Sequence, residues 1–149
     1  MSGVDMEAKK TSASRLIKAS AEDIFAILSD ASRHPEIDGS GTVQATRGKP
    51  EPLTLGSKFG ATVKFGPLPY RISNKVVEYD ENRLIAWQHF GKHRWRYELQ
   101  PVEGATLVTE TFDWSTSTSP MAIEKAGYPK RHLGNIEQTL ENLAAAAEA

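Results

Sequence analysis

This chain of 149 residues predicts an α+β fold, a curved antiparallel sheet of about six or seven strands closed around a long C-terminal helix. Three observations carry the prediction. The patterns run in the order strand, short helical stretch, a run of strands, and an unbroken amphipathic segment to the end. Two strand segments alternate cleanly, Phe59, Ala61, Val63 and Phe65 against Lys58, Gly60, Thr62 and Lys64, then Trp95, Tyr97 and Leu99 against Arg94, Arg96 and Glu98. The tail then changes period, with Leu133, Ile136, Leu140 and Leu143 on one helical stripe.

Taken in order, residues 1–9 read as a frayed leader and Thr11 to Ala19 as a first strand whose partner lies far away in sequence. Ser20-Ala21-Glu22-Asp23 is a helix start. The Ser20 hydroxyl can accept from the amide of Asp23, and the acids complement the positive end of the helix dipole. Ile24, Phe25, Ile27 and Leu28 fill one side of that helix, and a second short helical turn fits 29–36, giving two short helices between strands one and two. Pro35 biases His34 toward extended geometry, so His34 reads as a loop residue, capping or solvent-exposed. Strands follow at Thr42–Thr46, Lys58–Phe65, Tyr70–Tyr79, Arg83–Phe90, His93–Gln100 and Ala105–Trp114, with glycine and proline gathered in the loops, Gly66-Pro67-Leu68-Pro69 among them. Pro129 suits a first helical turn, which makes Met121 to Tyr128 a separate or kinked piece. From Pro129 to Ala147 the last helix would run about 27 Å, enough to cross a sheet.

Composition excludes several function classes. The length fits one domain spanning 1–149. Eighteen basic residues balance nineteen acidic ones without a dense basic run, so nucleic acid is not an expected partner. The absence of cysteine removes disulfides, thiolate metal sites and cysteine nucleophiles, leaving histidine and carboxylate chemistry. The N-terminus has no apolar signal core and no window reaches the length of a membrane span, which reads as a cytoplasmic protein. Phosphate-cradling, dinucleotide-binding and nucleophile-elbow motifs are missing from the sequence.

The run from Ser20 to Asp30 followed by Arg33-His34-Pro35-Glu36, the strand Trp95-Arg96-Tyr97-Glu98-Leu99-Gln100-Pro101, and Gly104 to Thr111 together give the chain a likeness to a known group. It resembles the START-like helix-grip superfamily, SRPBCC, in its polyketide cyclase/dehydrase branch, over nearly the whole length. The resemblance implies a cavity between sheet and helix. Because that superfamily includes lipid and sterol carriers, cyclases and receptors, it implies a hydrophobic small-molecule ligand without fixing a reaction.

Aromatic residues crowd the later strands, and Phe59, Val63, Trp87, Trp95, Tyr97 and Phe112, with Leu133 and Ile136 of the last helix, are the candidate ligand-binding residues. The turn at Gly91-Lys92 decides which aromatics share a face. A two-residue turn pairs Phe90 with His93, whereas a three-residue loop pairs His89 with His93 and sets Trp87 opposite Trp95. Trp95 and Tyr97 point inward in both versions. Glu110 is the candidate catalytic residue: if Val108, Phe112 and Trp114 face the cavity, alternation carries Glu110 in with them and burial raises its pKa. If Leu107, Thr109 and Thr111 face inward instead, Glu110 is a solvated charge. His89 and His93 lack a third ligand nearby, so no metal is expected and no organic cofactor is required. His132 either flanks the pocket mouth or stands half-exposed on the helix, and Arg94 and Arg96 fall on the outer face.

The first functional reading is binding or carriage of a hydrophobic small molecule: a lipid, a sterol or an aromatic polyketide. The alternatives are a cofactor-independent cyclase, aromatase or dehydratase acting on a poly-carbonyl chain, and a regulatory interaction module with a vestigial cavity, the last signalled by an apolar patch around Gly66-Pro67-Leu68-Pro69. A monomer and a dimer fit the sequence equally.

Overall fold

The alternation and caps read above become elements in the computed structural model, which describes residues 2–41, 43–47, 51–65, 67–89 and 91–149, with the backbone alone at 44–47 and 65. In chain order they are β1 (Gly3–Asp5), β2 (Lys10–Ile17), α1 (Ala21–Leu28), a 3₁₀ turn (Ala31–Arg33), α2 (His34–Ile37), β3 (Val43–Arg47), β4 (Lys58–Phe65), β5 (Leu68–Asp80), β6 (Leu84–Gln88), β7 (Arg94–Val102), β8 (Ala105–Asp113), α3 (Pro120–Lys125) and α4 (Tyr128–Glu148). The strands form one eight-stranded antiparallel sheet in the order β1-β2-β8-β7-β6-β5-β4-β3. The arrangement is the helix-grip fold, an α+β sheet holding a long C-terminal helix. Its first long strand meets its partner β8 nearly a hundred residues later, as in the pair Ala13 and Glu110.

Ser20 caps α1 with its hydroxyl accepting from the Asp23 amide at 3.1 Å, and Ile24, Phe25, Ile27 and Leu28 are buried on its inner side. Pro129 lies in the first turn of α4, and Gly127 takes a left-handed φ of 76° between α3 and α4, which turns the chain where the two helical pieces were expected to separate. Thr11 donates to the Pro129 carbonyl at 2.9 Å, and the Lys18 amide donates to Glu148 at 2.9 Å, so α4 is fastened to β2 at both ends. Ile136, Leu140 and Leu143 pack into the core beneath it. The turn after α2 presses on the same helix. A Cβ at Gly39 would come within 2.3 Å of the Asn135 carbonyl oxygen, and the Gly39 amide donates to Thr139 Oγ1 at 2.8 Å.

Three expectations are corrected. Residues 1–9 do not simply fray: Gly3–Asp5 pair with β2 and add a strand at the sheet edge, with Val4 against the core. His34 is not an extended loop residue. It starts α2 in right-handed helical geometry, with Pro35 in the first turn, because its side chain is buried and hydrogen bonded. The strand expected from Tyr70 begins at Leu68, so the connection after β4 is tighter than the four-residue loop expected; Gly66 lies outside the described residues. Thr42 and Phe90, the expected end residues of two strands, also lie outside them.

Candidate functional site

Between the inner face of β4–β8, α2 and the α3–α4 segment lies a cavity of about 820 Å³. Strand parity builds its floor. The β6–β7 connection is the longer of the two alternatives, with Gln88 opposite Arg94 and Trp87 opposite Trp95. On β8 the inward residues are Val108, Glu110 and Phe112, and Tyr97 faces Glu110 directly across the ladder. Phe59, Val63, Trp87, Trp95, Tyr97, Glu110 and Phe112 line the cavity. Leu133 and Ile136 do not: Ile136 is fully buried in the core and Leu133 packs against that core.

The helix presents a different stripe to the cavity: Tyr128, Arg131, His132, Asn135 and Thr139 line it, at spacings of three, one, three and four. The expected apolar stripe and this more polar one are neighbouring faces of α4. A helix side chain can therefore be apolar and periodic yet miss the cavity, because the stripe that seats the helix is not the stripe that meets the ligand.

Glu110 is 2 % exposed, and its Oε1 has no hydrogen-bond partner among the described residues. Burial pushes its carboxyl well above the ordinary range, the Asp38 charge pushes the same way, and the hydrogen bond with Tyr97 only partly opposes them. Burial therefore favours the protonated, uncharged form of this acid. The Tyr97 phenol is raised well above its usual value by burial and by its electrostatic and hydrogen-bond coupling to Glu110, so it keeps its proton. Asp38 is occupied with loop structure, accepting from the amides of Ser40 at 3.2 Å and Val43 at 3.0 Å and from the Ser40 hydroxyl.

The chain's four histidines all line this cavity, which the spacing of the sequence concealed. His34 stacks on Trp87 with centroids 4.7 Å apart, meets Phe59 edge-on, and donates from Nε2 to the Leu28 carbonyl at 2.8 Å. Its burial lowers its pKa. His89 and His93 touch edge to face at 4.5 Å, and His132 sits against Trp95 and Phe112 at 4.9 and 4.6 Å. Burial lowers His89, and it brings His93 and His132 down to about 4, helped at His93 by its two histidine neighbours and at His132 by Arg131. No group of three or more metal-ligating side chains converges among the described residues. The cavity thus presents aromatic walls, the hydrogen-bonding groups of Glu110, Tyr97 and the histidines, and the charged side chains Asp38, Arg71 and Arg131. Such a site can hold an apolar molecule by burial and orient it through a few polar contacts.

Other proteins share this architecture. The chain is 38% identical over 146 residues to the uncharacterized protein Rv0088 of Mycobacterium tuberculosis, covering 95% of this chain and 65% of that protein's length. It therefore spans a little under two thirds of the curated relative it matches. The crystal structure of protein CV1439 from Chromobacterium violaceum superposes with a TM-score of 0.68 at 14% identity, over 94% of this chain and 98% of that one. An AHSA1-like protein from Aeromonas hydrophila gives a TM-score of 0.64 at 20% identity, over 92% and 93% of the two chains. At those identities the two structures speak for the fold alone. A family model for polyketide cyclase / dehydrase and lipid transport matches residues 8–148, and with that match over the sheet, the cavity and the closing helix, the chain belongs to this family.

Proposed function

We propose that this protein binds or carries a hydrophobic small molecule, a lipid, sterol or aromatic polyketide-like compound, between the sheet and α4. The observation that carries the reading is the cavity of about 820 Å³. Its volume lies in the range of small-molecule sites, and large side chains such as Phe59, Trp95 and Phe112 line it without filling it. Affinity comes mainly from apolar burial, at about 25 cal/mol per Å² removed from water, and the Glu110–Tyr97 pair fixes orientation. Among the described residues no helix is long and apolar enough to cross a membrane, and the cysteine-free sequence suits the reducing cytoplasm.

The Glu110–Tyr97 pair also favours a second reading, a cyclase, aromatase or dehydratase. A neutral buried acid beside a phenol can donate a proton or hydrogen bond to a ligand carbonyl while the cavity holds a reactive chain folded. Native mass spectrometry of gently purified protein, followed by extraction and identification of the released compound, tests both. A defined apolar ligand supports carriage, and a compound that is chemically altered on incubation supports the enzyme. Protein that is bare and refuses every apolar probe would sink both readings.

A further inference from the structure

The register of the sheet sorts the cavity floor into rows. The middle row is aromatic, with Phe112 opposite Trp95 and Trp95 opposite Trp87. Two residues along β7, Tyr97 faces Glu110. Two residues the other way stands His93, in ring contact with His89. The β5–β6 ladder ends at the pair Lys75 and Gln88, and the residues next to them, Asn74 and His89, both line the cavity. The floor is therefore polar, aromatic and polar in turn. Four residues separate Tyr97 from His93, about 13 Å of strand.

Both polar rows are incompletely satisfied. Glu110 Oε1 and His93 Nδ1 are buried without partners among the described residues. Asn74 stands in the same part of the floor: it is only 6 % exposed and lines the cavity between inward-facing Ile72 and Val76, a carboxamide turned toward the space a ligand would take.

We infer that the cavity has a second polar subsite, lined by Asn74 and His93, and that it holds a flat ligand with hydrogen-bonding groups at both ends. One end meets Glu110 and Tyr97, the other meets Asn74, and the ring system between lies on Trp95 and Phe112. Asp38, Arg71 and Arg131 also line the cavity, so the floor rows supply neutral hydrogen-bonding groups while charges of both signs stand elsewhere on its wall. This inference rests on the container reading and extends it to the chemical class of the occupant.

Fluorescence titration with three rigid probes tests it: trans-stilbene, 4-hydroxystilbene and 4,4′-dihydroxystilbene. In the unaltered protein the diphenol binds about fivefold tighter than the monophenol, the usual value of one good hydrogen bond. Asn74→Leu brings the diphenol down to the affinity of the monophenol. Equal affinities of the two phenols in the unaltered protein, or a preference that survives in Asn74→Leu, overturn the second subsite and leave the container standing. Failure of all three probes to bind, trans-stilbene included, sinks the container reading itself and the subsite with it.

Discussion

Glu78 and Glu110 lie on opposite faces of one sheet, and their surroundings push their carboxyls in opposite directions. On the outer face Glu78 accepts from Arg94 Nη1 at 2.7 Å and from Arg96 Nε and Nη2 at 2.8 and 2.7 Å, and Arg96 also reaches Asp113 at 3.1 Å. The Arg96 hydrogen bonds hold the Glu78 carboxyl down at about 2 against the opposing pull of burial. On the inner face Glu110 has a phenol for a neighbour and no cation, and burial drives it the other way. Arg96 and Tyr97 are consecutive residues, so a single step of the pleat separates a satisfied ion network from a neutral, unsatisfied site. The outer face spends its charges on holding strands β5 to β8 together. The inner face keeps its polar groups unspent.

Substitutions at adjacent positions would break the contrast if parity were misread. Arg96→Ala strips Glu78 and Asp113 of their shared cation and should cost about 3 kcal/mol in urea unfolding, with Arg94 still covering part of the Glu78 charge. Its affinity for an apolar ligand should stay within about twofold. Trp95→Ala should weaken that affinity about tenfold or more, since the indole lies against Phe112 and His132 on the cavity wall. Equal effects of the two changes on binding would end the argument from the pleat.

Acid separates the two faces by pH window. His93 and His132 titrate near 4 in the folded chain against 6.5 ordinarily, so the unfolded chain binds their protons first. Their contribution is intact above about pH 6.5 and is lost as pH falls through 6.5 toward 4, at up to about 1.4 kcal/mol per pH unit for each histidine. Around them stand His89, Arg131 and Asp38, the first two adding to the loss and Asp38 opposing it. The outer face responds lower: Glu78 contributes above about 4.5 and loses its contribution as pH falls toward 2. The double variant His93→Phe/His132→Phe should reduce the loss in the upper window, leaving the part due to the buried His34 and His89, and leave the lower window unchanged. Chemical unfolding at a series of pH values reads both.

The fold was legible because its signals are local and repeated. Period-two alternation in Lys58–Phe65 and Arg94–Leu99, the Ser20 cap and the Leu133 to Leu143 stripe each needed only near neighbours. Gly3–Asp5 gave no such signal, since three residues carry no period and pairing with β2 makes the strand. The site was harder for the same reason. Parity left Glu110 with two positions until the β8 register settled it, and the ordinary bias of a residue before proline misplaced His34, which the Leu28 carbonyl and the Trp87 face hold in helical geometry. Asn74 and the stripe Tyr128, Arg131, His132, Asn135, Thr139 did leave marks: a polar residue in an apolar row, and a polar period beside an apolar one. Those marks gain meaning only when something is known to lie between sheet and helix.

The smallest loss of stability belongs to Glu110→Gln, and it is the most discriminating. A carboxyl that burial holds toward its neutral form is replaced by a neutral group of the same shape, so the variant should lose nothing at pH 7, where Glu78→Gln should cost stability by surrendering its charged partners. A raised carboxyl contributes fully below its unfolded value and loses that contribution as pH rises toward its folded one, so Glu110→Gln should gain relative to the unaltered protein as pH rises above about 4.5, pH 7 included. Infrared spectroscopy at neutral pH should show a protonated carboxylic acid band that Glu110→Gln removes. A glutamine can still hydrogen bond to a ligand but cannot hand over a proton. If ligand retention survives Glu110→Gln while conversion of the bound compound stops, the inner face is catalytic; if retention survives and nothing was ever converted, the same neutral acid is an anchor.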